Sequence, residues 1–104
     1  MIKETFSERV LRLALSIPKG KVTTYGGLAK GAGGGPRSAM SITSILSRAY
    51  KKGNHDIPFH RIVYSDGKIW VNESHREQRL KLYEEEGIEL DSRDRIVNFN
   101  DIVI

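Results

Sequence analysis

The residues best suited to chemistry stand in one short run, IPFHRIV at 57–63, where His60 and Arg61 sit side by side between apolar flanks. Histidine exchanges its proton near neutral pH and most often serves a nucleophile. The 104-residue sequence offers none of the usual kind: it contains no cysteine, and no serine lies in a strand-to-helix nucleophile elbow. The neighbouring arginine also disfavours the imidazolium that a Ser-His-acid triad must form. A metal site fails on spacing. His55, His60 and His75 match no helical or turn-based ligand set, and no thiolate joins them. They read as surface or core histidines, and the sequence calls for no metal or other cofactor. The run GAGGGPRS from Gly31 lacks the Lys-Ser/Thr ending of a P-loop and follows no clear strand. Amides at a helix N-terminus there could still hold one backbone phosphate.

These residues must be carried by one small domain, 1–104, with a single modest core. No apolar run is long enough to span a bilayer, and MIKETFSERV has no signal-peptide core. The expectation is an intracellular protein, in the cytoplasm and nucleoid or in a nucleus, with no membrane partner. A net charge of +4 with a pI near 9.5 favours polyanions mildly. Glu84, Glu85, Glu86, Glu89 and Asp91 form an acidic cluster near the end, so a polyanion would dock on the earlier part. A basic domain that binds nothing in particular has the same balance.

Phe6, Val10, Leu13, Ala14 and Ile17 recur at helical spacing until Pro18 and Gly20 end the run. After an extended step, Lys21-Val22-Thr23, Thr24 is placed to cap a short helix from Tyr25, which the GAGGG run stops. Pro36 suits a first helical turn. From Arg37 to about Tyr50, Ala39, Ile42, Ile45, Leu46 and Ala49 make one apolar stripe, opposite Arg37, Ser38, Ser41, Ser44 and Arg48. Two helices with such an outer face read equally as a DNA-binding helix-turn-helix or as a packed pair with an ordinary solvated face. IPFHRIVY, the turn Ser65-Asp66-Gly67 and Lys68–Val71 predict a hairpin. Ser74 with Glu77 predicts a capping box for a helix that carries Leu80 and Tyr83 and ends near Gly87. The tail IELDSRDRIVNF predicts a second small hairpin. The fold class is mostly α with small β-hairpins.

The order of these motifs is more informative than any one of them. IPKGKVTTYGGLA, the glycine-rich turn into a small-residue helix, IPFHRIVYSDGKI and EQRLKLYEEEGIEL together resemble the DNA-binding domain of O6-alkylguanine-DNA alkyltransferases, from about Phe6 to Leu90. The resemblance implies a helix-turn-helix, winged-helix-like alkyltransferase C-terminal-domain fold. In that family a cysteine before the His-Arg pair takes the alkyl group; here the position is Phe59. The chain is therefore most similar to the alkyltransferase-like proteins, which bind alkylated DNA without repairing it and pass it to nucleotide excision repair. Implied partners are double-stranded DNA, alkylated in its recognised form, and excision-repair proteins, with the chain acting as a monomer.

Residue by residue, the resemblance gives Tyr25 the task of rotating a nucleotide out and lining the base pocket, against the plainer reading of a core-packing aromatic. Ser7 and Ser65 match phosphate contacts, and Ser38 and Ser41 belong to the recognition helix. The carbonyls of Phe59 and Ile62 would face the base edge. His60 and Glu86 stand where the family deprotonates its cysteine; without a thiol they form, with Arg61, a structural network. The family's arginine finger falls on Met40, which implies an apolar wedge there or Arg37 swinging in from the first turn. An asparagine hinge is replaced by Ala49 or Tyr50. Trp70, Val71 and Asn72 occupy the pocket-closing loop, where Trp70 either stacks on the base or packs the hairpin. The lesion pocket is thus assigned to Tyr25, Phe59, His60, Ile62 and Trp70. The alternative is a general DNA-binding module of the same fold without lesion recognition.

Overall fold

The computed structural model describes residues 4–35, 37–71 and 73–104; Pro36 and Asn72 lie outside them. Helix α1 (Phe6–Leu15) opens on a capping box that the sequence reading missed. The Thr5 hydroxyl accepts from the Glu8 amide at 3.1 Å, and the Glu8 carboxylate accepts from the Thr5 amide at 3.2 Å. Each bond satisfies an amide that a first helical turn leaves without a partner. Val10 and Ala14 on the inner face are fully buried. Arg9 leans across to donate to the Ala32 and Glu4 carbonyls, both at 2.7 Å.

Strand β1 (Thr23–Thr24) runs directly into α2 (Tyr25–Gly31), where the Thr24 hydroxyl accepts from the Gly27 amide at 2.8 Å, the cap that the sequence predicts. The next helix differs from expectation. Residues Ser38–Ser41 form a 3-10 turn, and α3 (Ile42–Lys51) begins only after it. The Ser38 hydroxyl accepts from the Gly35 amide at 3.0 Å, a local bond that competes with helix formation. Ala39 to Ile42 is a three-residue step, which suits a 3-10 turn as well as an α-helix, so the apolar spacing could not separate the two. Ile42 and Leu46 are buried beside α1 residues Val10 and Ala14.

The predicted hairpins are rearranged. Phe59–Arg61 make a 3-10 turn, leaving only Ile62–Val63 as β2, which pairs in parallel with β1: Thr23 opposite Ile62, Thr24 opposite Val63. The turn at 64–67 does form, with the Gly67 amide on the Tyr64 carbonyl, and Tyr64 donates to Lys68. From there the returning chain pairs with the tail instead, Lys68 bridging to Arg95 and the Ile69 amide donating to Asp94. The tail hairpin is present as an antiparallel Leu90–Ile96 bridge. It continues into α5 (Phe99–Ile102) and a parallel Val22–Val103 bridge, neither of which the sequence announces. Strands of two residues carry no alternation long enough to specify a partner. Helix α4 (Arg76–Glu85) follows a 3-10 turn at Glu73–His75, so Ser74 lies inside that turn and not at the cap. Arg76 anchors the first turn of α4 to both carboxylate oxygens of Asp94, at 2.7 and 3.0 Å.

Two apolar clusters result. One joins α1, α2 and α3 with Ile57 and Ile62; the other gathers Val22, Val63, Ile69, Tyr83, Ile88, Ile96 and Ile102. Successive strand residues point to opposite faces, so Ile62 enters the first cluster and Val63 the second. The two-residue strand β2 thereby joins both halves.

Gly67 holds a positive φ of 84°, and the Phe99 ring lies 3.0 Å from where a β-carbon would stand. Gly67→Ala is therefore expected to lower unfolding free energy by about 1–3 kcal/mol. Gly26→Ala, on α2 with open space around it, is expected to be neutral or to stabilise by about 0.5–1 kcal/mol. Urea unfolding of the two variants checks both signs.

Candidate nucleic-acid interface

The parallel register of β1 and β2 decides where the first two aromatic rings meet. Thr24 stands opposite Val63, so the next residues along each chain, Tyr25 and Tyr64, emerge together. Their ring centroids are 5.6 Å apart, tilted by 44°. Burial, followed by the neighbouring Tyr64, pushes the Tyr25 hydroxyl above the ordinary tyrosine range, against an opposing pull from Arg79. It stays protonated and available as a donor at neutral pH.

Both rings border a cavity of about 580 Å³. The 3-10 turn and α3 contribute Ala39, Met40, Thr43 and Ser47; the turn before β2 contributes Phe59, and the chain beyond it Trp70 and Arg79. Met40 is 84% exposed and Trp70 47% exposed, so the rim is apolar and open to solvent. Phe59 is half-buried on its 3-10 turn and is braced edge-on by Tyr50 at 5.9 Å, on which His55 packs in turn at 4.5 Å. Its carbonyl accepts from the Ile62 amide.

Behind this wall lies the carboxylate of Glu86, its side chain 4% exposed. It accepts from Arg61 Nε at 3.0 Å and Nη2 at 2.9 Å, from the Gly20 amide at 2.8 Å, and from His60 Nε2. Arg61 also donates to the Ile17 carbonyl at 2.9 Å, and the Tyr83 hydroxyl donates to the His60 carbonyl. Burial alone would raise the Glu86 pKa, but Arg61, the Gly20 amide and His60 together hold it down at about 2. Burial pushes His60 below the ordinary histidine value and outweighs the opposing pull of Glu86. With Arg61 already balancing that carboxylate, a second buried cation gains little.

Of the residues singled out from sequence, Tyr25, Met40, Phe59 and Trp70 share the cavity. His60 and Ile62 are buried, with 9% and 2% exposure, and lie behind its wall. Ser41 and Arg37 are exposed at and before the start of α3, while Ser38 closes its own turn. Ser7 borders a separate groove between α1 and α3, and Ser65 borders another beside Asn98 and Phe99. Ala39, Thr43, Ser47, Tyr64 and Arg79 were missed as lining residues. Ala39, Thr43 and Ser47 follow an i, i+4 stripe that was legible in principle. Arg79 had no such signal, because α4 has no clean apolar face. Among the described residues no helix is long and apolar enough to cross a membrane, and no group of three His, Cys, Asp or Glu could hold a metal ion.

Residues 5–88 match the family described as 6-O-methylguanine DNA methyltransferase, DNA binding domain. The chain is 39% identical over 67 residues to the DNA base-flipping protein of Escherichia coli, which covers 64% of this chain and 50% of that protein. It therefore spans about half the length of that relative. It is 34% identical over 92 residues to Alkyltransferase-like protein 1 of Schizosaccharomyces pombe, covering 86% of this chain and 82% of that one. The fold matches the crystal structure of S. pombe Atl1 in complex with damaged DNA containing O6-carboxymethylguanine, with a TM-score of 0.74 at 26% identity over 100% of this chain and 98% of that one.

The buried network sets a pH dependence. His60 has a folded pKa below its ordinary 6.5, so the unfolded chain binds the extra proton and stability falls as pH drops through about 6.5. Glu86 has a folded value near 2 against an ordinary 4.5, so its contribution is complete above about 4.5 and is lost on further acidification toward 2. Urea midpoints measured from pH 8 to pH 3 are expected to fall in these two stages. Glu86→Gln is expected to shrink the second stage, leaving the smaller share of Glu4, Asp91 and Asp94, and to lower stability at pH 7 by about 3–5 kcal/mol, because it strands the buried Arg61 charge.

Proposed function

This chain belongs to the family of 6-O-methylguanine DNA methyltransferase DNA-binding domains, and from that premise we propose that it binds duplex DNA, draws an O6-alkylated guanine into the aromatic pocket and transfers nothing from it. The observation that carries this reading is the convergence of Tyr25, Phe59, Tyr64 and Trp70 on one cavity whose rim bears the exposed Met40. In this reading the 3-10 turn and α3 approach the minor groove, and Met40 fills the gap left by the extruded base, as apolar side chains do when inserted between base steps. Extrusion costs a few kcal/mol, least for a damaged base, and aromatic stacking returns ~1–3 kcal/mol per base. A cavity of about 580 Å³ has the scale of a small-molecule site.

Retention without transfer follows from the residues at hand. The sequence has no cysteine, and Phe59 offers no nucleophilic atom. The Tyr25 hydroxyl is held protonated by burial, and His60 is turned away toward Glu86. The same reading places the protein in the compartment that holds DNA, as a monomer, with nucleotide excision repair proteins taking over the site. A second reading, a module that reads only DNA backbone and shape, is favoured by methionine standing where the resemblance implies an arginine finger.

Fluorescence anisotropy with two duplexes that differ by one O6-methyl group on guanine, at two salt concentrations, separates the readings. Both affinities are expected to fall steeply with salt, with the methylated duplex preferred throughout. Trp70, the single tryptophan, is expected to change its emission more with that duplex, and Trp70→Ala to weaken its binding roughly tenfold. Equal affinities would leave the backbone-reading module, and no binding to either duplex would overturn both readings.

A further inference from the structure

Among the described residues Arg79 is the one charged side chain on the pocket wall, and it lacks the ion pair that four other arginines make. Arg12, Arg61, Arg76 and Arg95 are paired with Glu4, Glu86, Asp94 and Asp66 respectively. Among the described residues Arg79 has no carboxylate within ion-pairing distance; its guanidinium makes a long 3.5 Å donation to the Trp70 carbonyl. It is half-buried, and its charge reaches Tyr25, His60 and Tyr83 alike. The cavity it borders is otherwise lined by the rings of Tyr25, Phe59, Tyr64 and Trp70, by Ala39 and Met40, and by the hydroxyl-bearing Thr43 and Ser47. A half-exposed guanidinium with no carboxylate partner, set on an otherwise uncharged wall, is free to meet an anion that enters the cavity.

Resting on the lesion-binding reading above, we propose that Arg79 is a specificity-determining residue that selects O6 substituents bearing a negative charge, such as a carboxylate, over neutral ones of the same shape. The carboxylate would accept charge-assisted, bidentate hydrogen bonds from the guanidinium, while the surrounding rings exclude water and hold the purine. A hydrogen bond to a charged group is worth roughly twice a neutral one, which corresponds to a preference of about fivefold or more. The alternative anion is a backbone phosphate of the extruded nucleotide, and that contact would strengthen every duplex equally.

The test compares duplexes containing O6-carboxymethylguanine, its neutral isostere O6-carbamoylmethylguanine, and unmodified guanine, by anisotropy at one salt concentration. The protein is expected to favour the carboxymethyl over the carbamoylmethyl duplex at least about fivefold. Arg79→Gln should bring that ratio near one, and Arg79→Lys, which keeps the charge but not the fork, should leave it in between. Arg93→Gln, which removes a positive charge from the exposed tail loop, should leave it as it was. The ratio cancels any general loss of DNA attraction, and thermal melts show that each variant is folded. A ratio near one in the unaltered protein, or one that survives in Arg79→Gln, overturns the proposal. If both adducts are preferred equally over unmodified guanine, this inference alone fails; if neither is preferred, the lesion-binding reading fails with it.

Discussion

The buried carboxylate of Glu86 is the point on which the rest of the structure depends. It lies at the C-terminal end of α4, yet it holds the Gly20 amide ahead of β1 and both His60 and Arg61 in the turn ahead of β2. Those two segments deliver the paired strands, and the strands deliver Tyr25 and Tyr64. A carboxylate withdrawn from water is tolerable only when its lone pairs are met by good donors, and truncation of any one partner leaves a charge exposed to an apolar interior. The arrangement is therefore strict about geometry while contributing little net stability of its own. Two short strands, too small to define themselves, are aligned by this charged node.

That constraint gives the adjacent histidine and arginine a structural use in a sequence without cysteine. The His60 ring meets Glu86, and its carbonyl meets the Tyr83 hydroxyl. Both contacts fix the turn whose first residue, Phe59, forms the back of the pocket.

The pocket itself is assembled from both halves of the domain. Its α3 side is polar and small, with Thr43 and Ser47, while its opposite side is aromatic with a single guanidinium. Met40 and Trp70 are left exposed at the rim, which for large apolar side chains beside a cavity points to an interaction surface. The acidic cluster of the last third lies mainly on exposed positions of α4 and the tail, leaving the helix-turn-helix side as the approach for a polyanion.

Helices α1, α2 and α3 were legible because a 3.6-residue apolar period and hydroxyl caps are local properties; Thr24 and the Val10–Ala14 face needed no tertiary knowledge. The capping box at Thr5 and Glu8 was equally local and simply overlooked. Composition alone established that no thiol chemistry is open to these 104 residues, and the ordered motifs carried the family. Tertiary structure decided the rest. Only long-range packing could tell that β2 pairs with β1 and not with the returning chain after Gly67, since two-residue strands hold no register signal. Only it could turn Tyr64 and Arg79 into one cavity, because their neighbours in sequence set no face for them. The physical division is one of range: bonds within four residues are written in adjacent letters, whereas a buried carboxylate and its three distant donors acquire meaning only once the chain has brought them together.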